Sequence, residues 1–183
     1  MPETSHAHEL AELVSSTEAV PGSGWVAGVS AALAAALVAK AAARSEGWSE
    51  AEGARAQAIE LRDRLLALAG QDARAYERAL TALEQRDSGL ERALVRAAEV
   101  PLAIAETAAD VAVVAAEAAE SADGASRADA AAAAALAAGA ARAAVRLVEV
   151  NLATGSDDER LSRAGRAAED AADASRRASA AGA

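Results

Sequence analysis

Alanine governs what this chain can become. Of its residues 53% are hydrophobic but only 2% aromatic, with no Phe, two Trp and one Tyr, so the apolar content is mostly Ala, Leu and Val. Alanine is the best helix former because it has no side-chain entropy to lose. It also withdraws little apolar area from water, so an alanine core draws its stability from close approach of helix backbones. No stretch alternates apolar and polar residues over enough positions to make a strand. The expectation is an all-α fold, an antiparallel multi-helix bundle built from residues 1–183 as one domain, with residues 1–7 a disordered tail. Thin burial per helix further favours self-association as a homodimer.

Start and stop signals divide the chain into helices. Residues 8–15 form a short helix with Leu10, Leu13 and Val14 on one face, and a turn at Val20-Pro21-Gly22-Ser23-Gly24 feeds a long helix over 25–44. After a break at Gly47-Trp48-Ser49-Glu50, Ser49 and Glu52 have the spacing of a capping box, which predicts a helix over 50–69. Gly70 resembles a helix stop, and Asp72 is placed to cap a further helix over 72–86. Asp87-Ser88-Gly89 starts the next, which reaches Val100-Pro101. Proline suits a first helical position better than an interior one, so the preferred reading breaks there and runs a new helix over 101–122. A loop at Asp123-Gly124-Ala125-Ser126, a helix over 128–152, a turn at Gly155-Ser156-Asp157 and a polar helix over 158–179 complete the chain. Such short connections make neighbouring helices antiparallel.

Charge and missing residue types narrow the function. A net charge of −10 argues against nucleic acid and anionic membranes as partners, since both demand clustered positive charge; a small molecule fits better. Without cysteine there is no disulfide, no thiolate nucleophile and no Cys-bearing zinc site. The two histidines, His6 and His8, lie near the terminus at a spacing that does not share a helix face, so no metal site is expected. No phosphate loop or dinucleotide fingerprint is present. The most apolar run, residues 26–39, is too short to cross a bilayer and closes at Lys40 and Arg44. With no disulfide pattern and no basic, apolar leader in residues 1–16, a cytoplasmic address is the default.

Four places then stand out, each with a bland reading beside the sharp one. Pro21-Gly22-Ser23-Gly24 lets a ligand approach a helix N-terminus, or is simply a turn. Asp129 is a functional acid at the start of an otherwise alanine-lined helix, or a cap or first-turn acid. Asn151 is an amide set between Val150 and Leu152, or a helix stop. Lys40, the sole lysine, continues the spacing Val26, Val29, Leu33, Leu37 and so extends a buried stripe. It is there either a desolvated amine or a side chain that snorkels to the bundle end.

Taken in order, these segments resemble the cyclodeaminase/cyclohydrolase family of folate enzymes. Its Pro-Gly-Gly-Gly-Ser turn is matched by Pro21-Gly22-Ser23-Gly24-Trp25, its Asp-Ala-x-Ala-Tyr/Phe segment by Asp72-Ala73-Arg74-Ala75-Tyr76, and its Val-Pro-Leu-x-Ile-Ala segment by Val100-Pro101-Leu102-Ala103-Ile104-Ala105. Ser-Asp-Ala is matched by Ala128-Asp129-Ala130, and the later Asn-Leu by Asn151-Leu152. The resemblance implies an all-helical homodimer acting on a one-carbon-substituted tetrahydrofolate, with no covalently bound cofactor. In either family reaction positive charge gathers near the reacting carbon, so a carboxylate can stabilise the cation and handle a proton without a metal. On this reading Asp129 is the catalytic group, with Lys40 as a second candidate, while Pro21, Gly22, Ser23, Gly24, Trp25, Asp72, Tyr76 and Asn151 bind the substrate. The chain departs from the pattern where Trp25 stands for a serine, Ser23 for a glycine, Ala128 for a serine and Lys40 for an apolar residue. Those changes predict a smaller, more aromatic pocket with Trp25 gating it. They keep two alternatives open: an enzyme on this scaffold with a non-folate substrate, and a non-catalytic helical binding protein.

Overall fold

The computed structural model describes residues 4–85, 89–152 and 158–181. They form six helices: α1 (Thr4–Ser15), α2 (Ser23–Arg44), α3 (Ala51–Glu84), α4 (Leu90–Ser121), α5 (Gly124–Leu152) and α6 (Glu159–Ala181). No strand occurs among the described residues. The expected helix end at Arg86, the start at Asp87-Ser88 and the turn at 155–157 lie outside them. From α2 onward each helix runs antiparallel to the one before, which leaves α4 and α6 parallel. Arg163 and Arg177 of α6 accordingly meet Glu106 and Glu120 of α4 at a common sequence offset of 57. Helix α4 sits at the centre, against α2, α3, α5 and α6.

Alanine lines the core as expected. The buried face of α2 is Ala27, Ala31, Ala34, Ala35, Val38 and Ala41, and α6 docks through Ala164, Ala167, Ala171, Ala174 and Ala178. Where α2 crosses α3, Gly28 lies so close that an added Cβ would come 3.0 Å from the Cβ of Ala69. The larger residues of α2 point the other way: Val26, Val29 and Leu37 are half-buried and Leu33 is 59% exposed. That overturns the reading of Lys40 as the end of a buried stripe. In a bundle packed at backbone distance the small residues take the inside, and the stripe drawn through the large ones lies on the surface.

Several helix boundaries differ from those the sequence suggests. Helix α3 passes through Gly70 and Asp72 without a break, since one glycine costs only about 1 kcal/mol in a helix and packing of Leu65, Leu68 and Ala69 exceeds it. Helix α4 contains Pro101 in its interior, because the carbonyl that proline leaves unbonded finds a partner on α5. The capping box does not form: Ser49 Oγ donates to Glu50 Oε2 at 2.8 Å, and no side chain caps α3. Helix α5 begins at Gly124, whose φ of 46° turns the chain directly out of α4. The loop is therefore shorter than expected, and Asp129 lies beyond the first turn. Helix α1 begins at Thr4, inside the expected tail. Helices α2 and α5 are long and apolar enough by length and composition to cross a membrane, 22 and 29 residues against the shorter run read from sequence, and about half of each apolar window is buried in the bundle.

Candidate functional site

Four segments distant in sequence close on one pocket of about 240 Å³ beside the α2 N-terminus. The turn contributes Gly22, Ser23 and Gly24; α3 contributes Asp72 and Tyr76; α4 contributes Ala97 and Pro101; α5 contributes Asn151 with the apolar Leu147 and Val150.

Asp72 holds this end together. The first N–H groups of a helix have no intrahelical partner, and Gly22, at the α2 N-cap, has no side chain to offer one. Asp72 supplies it from α3, its carboxylate accepting a hydrogen bond from the Trp25 N–H. Gly24 makes the approach possible, since a Cβ there would fall on the Asp72 carboxylate. The aspartate expected to cap its own helix caps a neighbouring one instead. Burial pushes its carboxyl above the ordinary carboxylate range, and the Trp25 N–H opposes that only in part. No cation is paired with it among the described residues. A carboxyl held in this way keeps its proton to higher pH than a solvated one does.

The amide of Asn151 is fixed as well. Its Nδ2 donates to the Ala97 carbonyl at 3.1 Å, the acceptor left free one turn before Pro101. Tyr76 lines the mouth of the pocket and is 44% exposed.

Six predicted site residues thus converge: Gly22, Ser23, Gly24, Asp72, Tyr76 and Asn151. Pro21 lies across the turn, on a wider groove of about 640 Å³ shared with Ser30, Leu136 and Gly139. The Trp25 indole lines a trough between α1 and α2 with Leu10, Val29 and Leu33. Only its backbone serves the pocket, so it is not positioned as the expected gate. Lys40 and Asp129 form an ion pair at 2.7 Å with both side chains partly exposed. The length of α5 separates Asp129 from Asn151, about 33 Å at ~1.5 Å per residue, so the two predicted catalytic residues stand apart from the predicted binding residues. Sequence reading did not select Pro101 or Ala97 as site residues, although Val100-Pro101-Leu102 was among the segments noticed; an interior proline aligned with a lone asparagine was the available signal. Among the described residues no group of three or more His, Asp or Glu side chains is placed to hold a metal ion.

A model of the formiminotransferase-cyclodeaminase family matches residues 6–170. The chain belongs to this family. Among solved structures, formiminotetrahydrofolate cyclodeaminase from Thermotoga maritima is similar to it, with a TM-score of 0.84 at 24% identity over 95% of this chain and 93% of that one. The helical bundle is thus a shared fold along nearly the whole length of both. The comparison with curated proteins found no match. All four segments that build the pocket fall within the part that the family model matches.

Proposed function

We propose that this chain is a folate one-carbon enzyme that works on a formimino- or methenyl-substituted tetrahydrofolate in the pocket beside the α2 N-terminus. Family membership supports the substrate class, and one observation carries the site: the Asp72 carboxyl, raised by burial and free of any cationic partner among the described residues, stands among the motif residues that the fold brings together. Trp25, which was expected to gate a smaller pocket, is not among the residues that line it. This favours the folate over a smaller substrate.

In the cyclodeaminase reaction the N10 lone pair attacks the formimino carbon. The new N10–C bond opens the C=N π bond and makes that carbon tetrahedral, the N10 proton passes to the former imino nitrogen, and the resulting amino group takes one further proton and leaves as ammonia, giving the methenyl cation. Asp72 is the proton donor of this step, and its carboxylate then faces the cation. In the cyclohydrolase reaction water adds to the methenyl carbon and loses a proton to the same carboxylate before a C–N bond opens. Ammonia release from 5-formiminotetrahydrofolate, and decay of the methenyl absorbance with 5,10-methenyltetrahydrofolate, test the two directly. Purified protein that accelerates neither would sink the reading.

The working form in this proposal is a homodimer joined through α2 and α5. The sequence from Ser23 to Ala39 and from Ala130 to Ala141 carries no charge, although each copy carries −10, so this face is where two copies can meet without repulsion. It sets exposed knobs, Leu33 and Leu136, beside hollows floored by Gly139 and Ala140, the self-complementary pattern a two-fold axis needs. Light scattering is expected to give a dimer for the native chain and a monomer for Leu33→Glu. A native monomer refutes the interface, and recovery of the native chain with lipid vesicles on flotation would assign the face to a membrane instead.

A further inference from the structure

A proline inside a helix has no N–H for the carbonyl four residues earlier, and its ring crowds that carbonyl. In α4 the carbonyl is that of Ala97, and it is occupied from another helix, by Nδ2 of Asn151. Pro101 is fully buried, and Ala97, Pro101 and Asn151 all line the pocket. A carboxamide has a donor end and an acceptor end. Because a carbonyl engages only the donor, the bond to Ala97 settles which way the amide is turned. The Oδ1 end is left as a free acceptor, since no described residue donates to it. An alanine at 101 would have completed the α4 ladder and removed the reason for this contact.

We propose that Pro101 is a positioning residue that acts through Asn151. By freeing the Ala97 carbonyl it anchors the amide and presents Oδ1 as a hydrogen-bond acceptor for an N–H of the bound heterocycle. On the reading above, that N–H belongs to the reduced pterin ring. Specificity toward a ring N–H donor is then set by a residue that makes no polar contact of its own. The chain keeps a weakened helix in order to keep the amide aimed.

Pro101→Ala restores the N–H and lets α4 take back its own carbonyl. The variant is expected to melt at the same temperature as the native protein or higher, while KM for 5-formiminotetrahydrofolate rises by about three- to tenfold, the range one hydrogen bond is worth, with kcat little changed. Pro101→Ala combined with Asn151→Ala should bind no worse than Asn151→Ala alone, since residues acting through one contact are not additive. The Asn151 side-chain amide protons, followed by nitrogen-15 NMR without ligand, should exchange slowly with solvent in the native protein and faster in Pro101→Ala. An unchanged KM with unchanged Asn151 signals overturns the proposal, as does fast exchange of that amide in the native protein. Should the chain turn over no folate, the exchange and melting data still decide whether Pro101 anchors Asn151, so that failure of the substrate reading stays distinct.

Discussion

Two aspartates sit at opposite ends of this bundle, and they differ in everything except their side chain. Asp129 lies on α5 against Lys40, partly exposed, with its charge answered at 2.7 Å. Asp72 lies on α3 beneath the N-terminus of α2, held by the Trp25 N–H alone and pushed toward its protonated form by burial. Burial without a counter-charge is the arrangement that poises a carboxyl such as Asp72 for proton transfer. The position of an acid in a motif therefore says less about its chemistry than which side of the fold it reaches.

Replacing each aspartate by asparagine tests the contrast most sharply. Asp72→Asn keeps an oxygen for the Trp25 N–H while removing the proton, so turnover should fall by about 10²–10⁴ with little change in melting temperature. Asp129→Asn should leave turnover alone and cost at most about 1 kcal/mol, as for other exposed ion pairs. The reverse outcome would return the catalytic role to Asp129 and reduce Asp72 to a cap.

A smaller effect is expected at Gly24. Gly24→Ala drives a methyl into the Asp72 carboxylate, so it should destabilise by about 1–3 kcal/mol, as overpacking does, and lower turnover by displacing the acid. Calorimetry and the ammonia assay on that one variant should move together. An active, undisturbed Gly24→Ala would show that the two helices do not meet as closely as described.

How much of this was legible beforehand depended on the range of the interaction. The all-α class followed from alanine itself, and the converging residues Gly22 to Gly24, Asp72, Tyr76 and Asn151 were legible from the order of their motifs. What local signals could not carry was action across space. Gly70 and Pro101 read as breaks because their helices look self-contained in sequence, whereas packing on α2 carries one helix through and Asn151 satisfies the other. Asp72 read as a cap for its own helix, and only the fold shows that it caps α2. Lys40 was misplaced because hydrophobic periodicity weights large residues, and in α2 the large residues face outward.

The smallest expected effect is in pH dependence, where the contrast should appear as a sign. Asp72 holds its proton to higher pH folded than unfolded, so its contribution to stability declines as pH rises from the ordinary carboxylate range through its raised pKa. Asp158 is opposite: hydrogen bonds from Arg160 lower its pKa to about 2, so its contribution is present above the ordinary carboxylate value and is lost as pH falls toward that point. Melting curves of Asp72→Asn against the native chain should draw apart in the variant's favour as pH rises from about 4, and those of Asp158→Asn should converge on the native chain as pH falls. A pH-independent gap for Asp72→Asn would mean that its carboxyl is as solvated as that of a surface residue.

The alanine stripe on α6 has a further consequence, for axial alignment. Ala164, Ala167, Ala171, Ala174 and Ala178 present a nearly smooth ridge to α4, and a ridge without knobs packs almost as well one turn along, a slip of about 5.4 Å. Arg163 on Glu106 and Arg177 on Glu120, though exposed and individually weak, oppose that slip because both pairs break at once when α6 moves. In this bundle the small apolar residues bring the helices together, and the charged ones decide where along their length they stop.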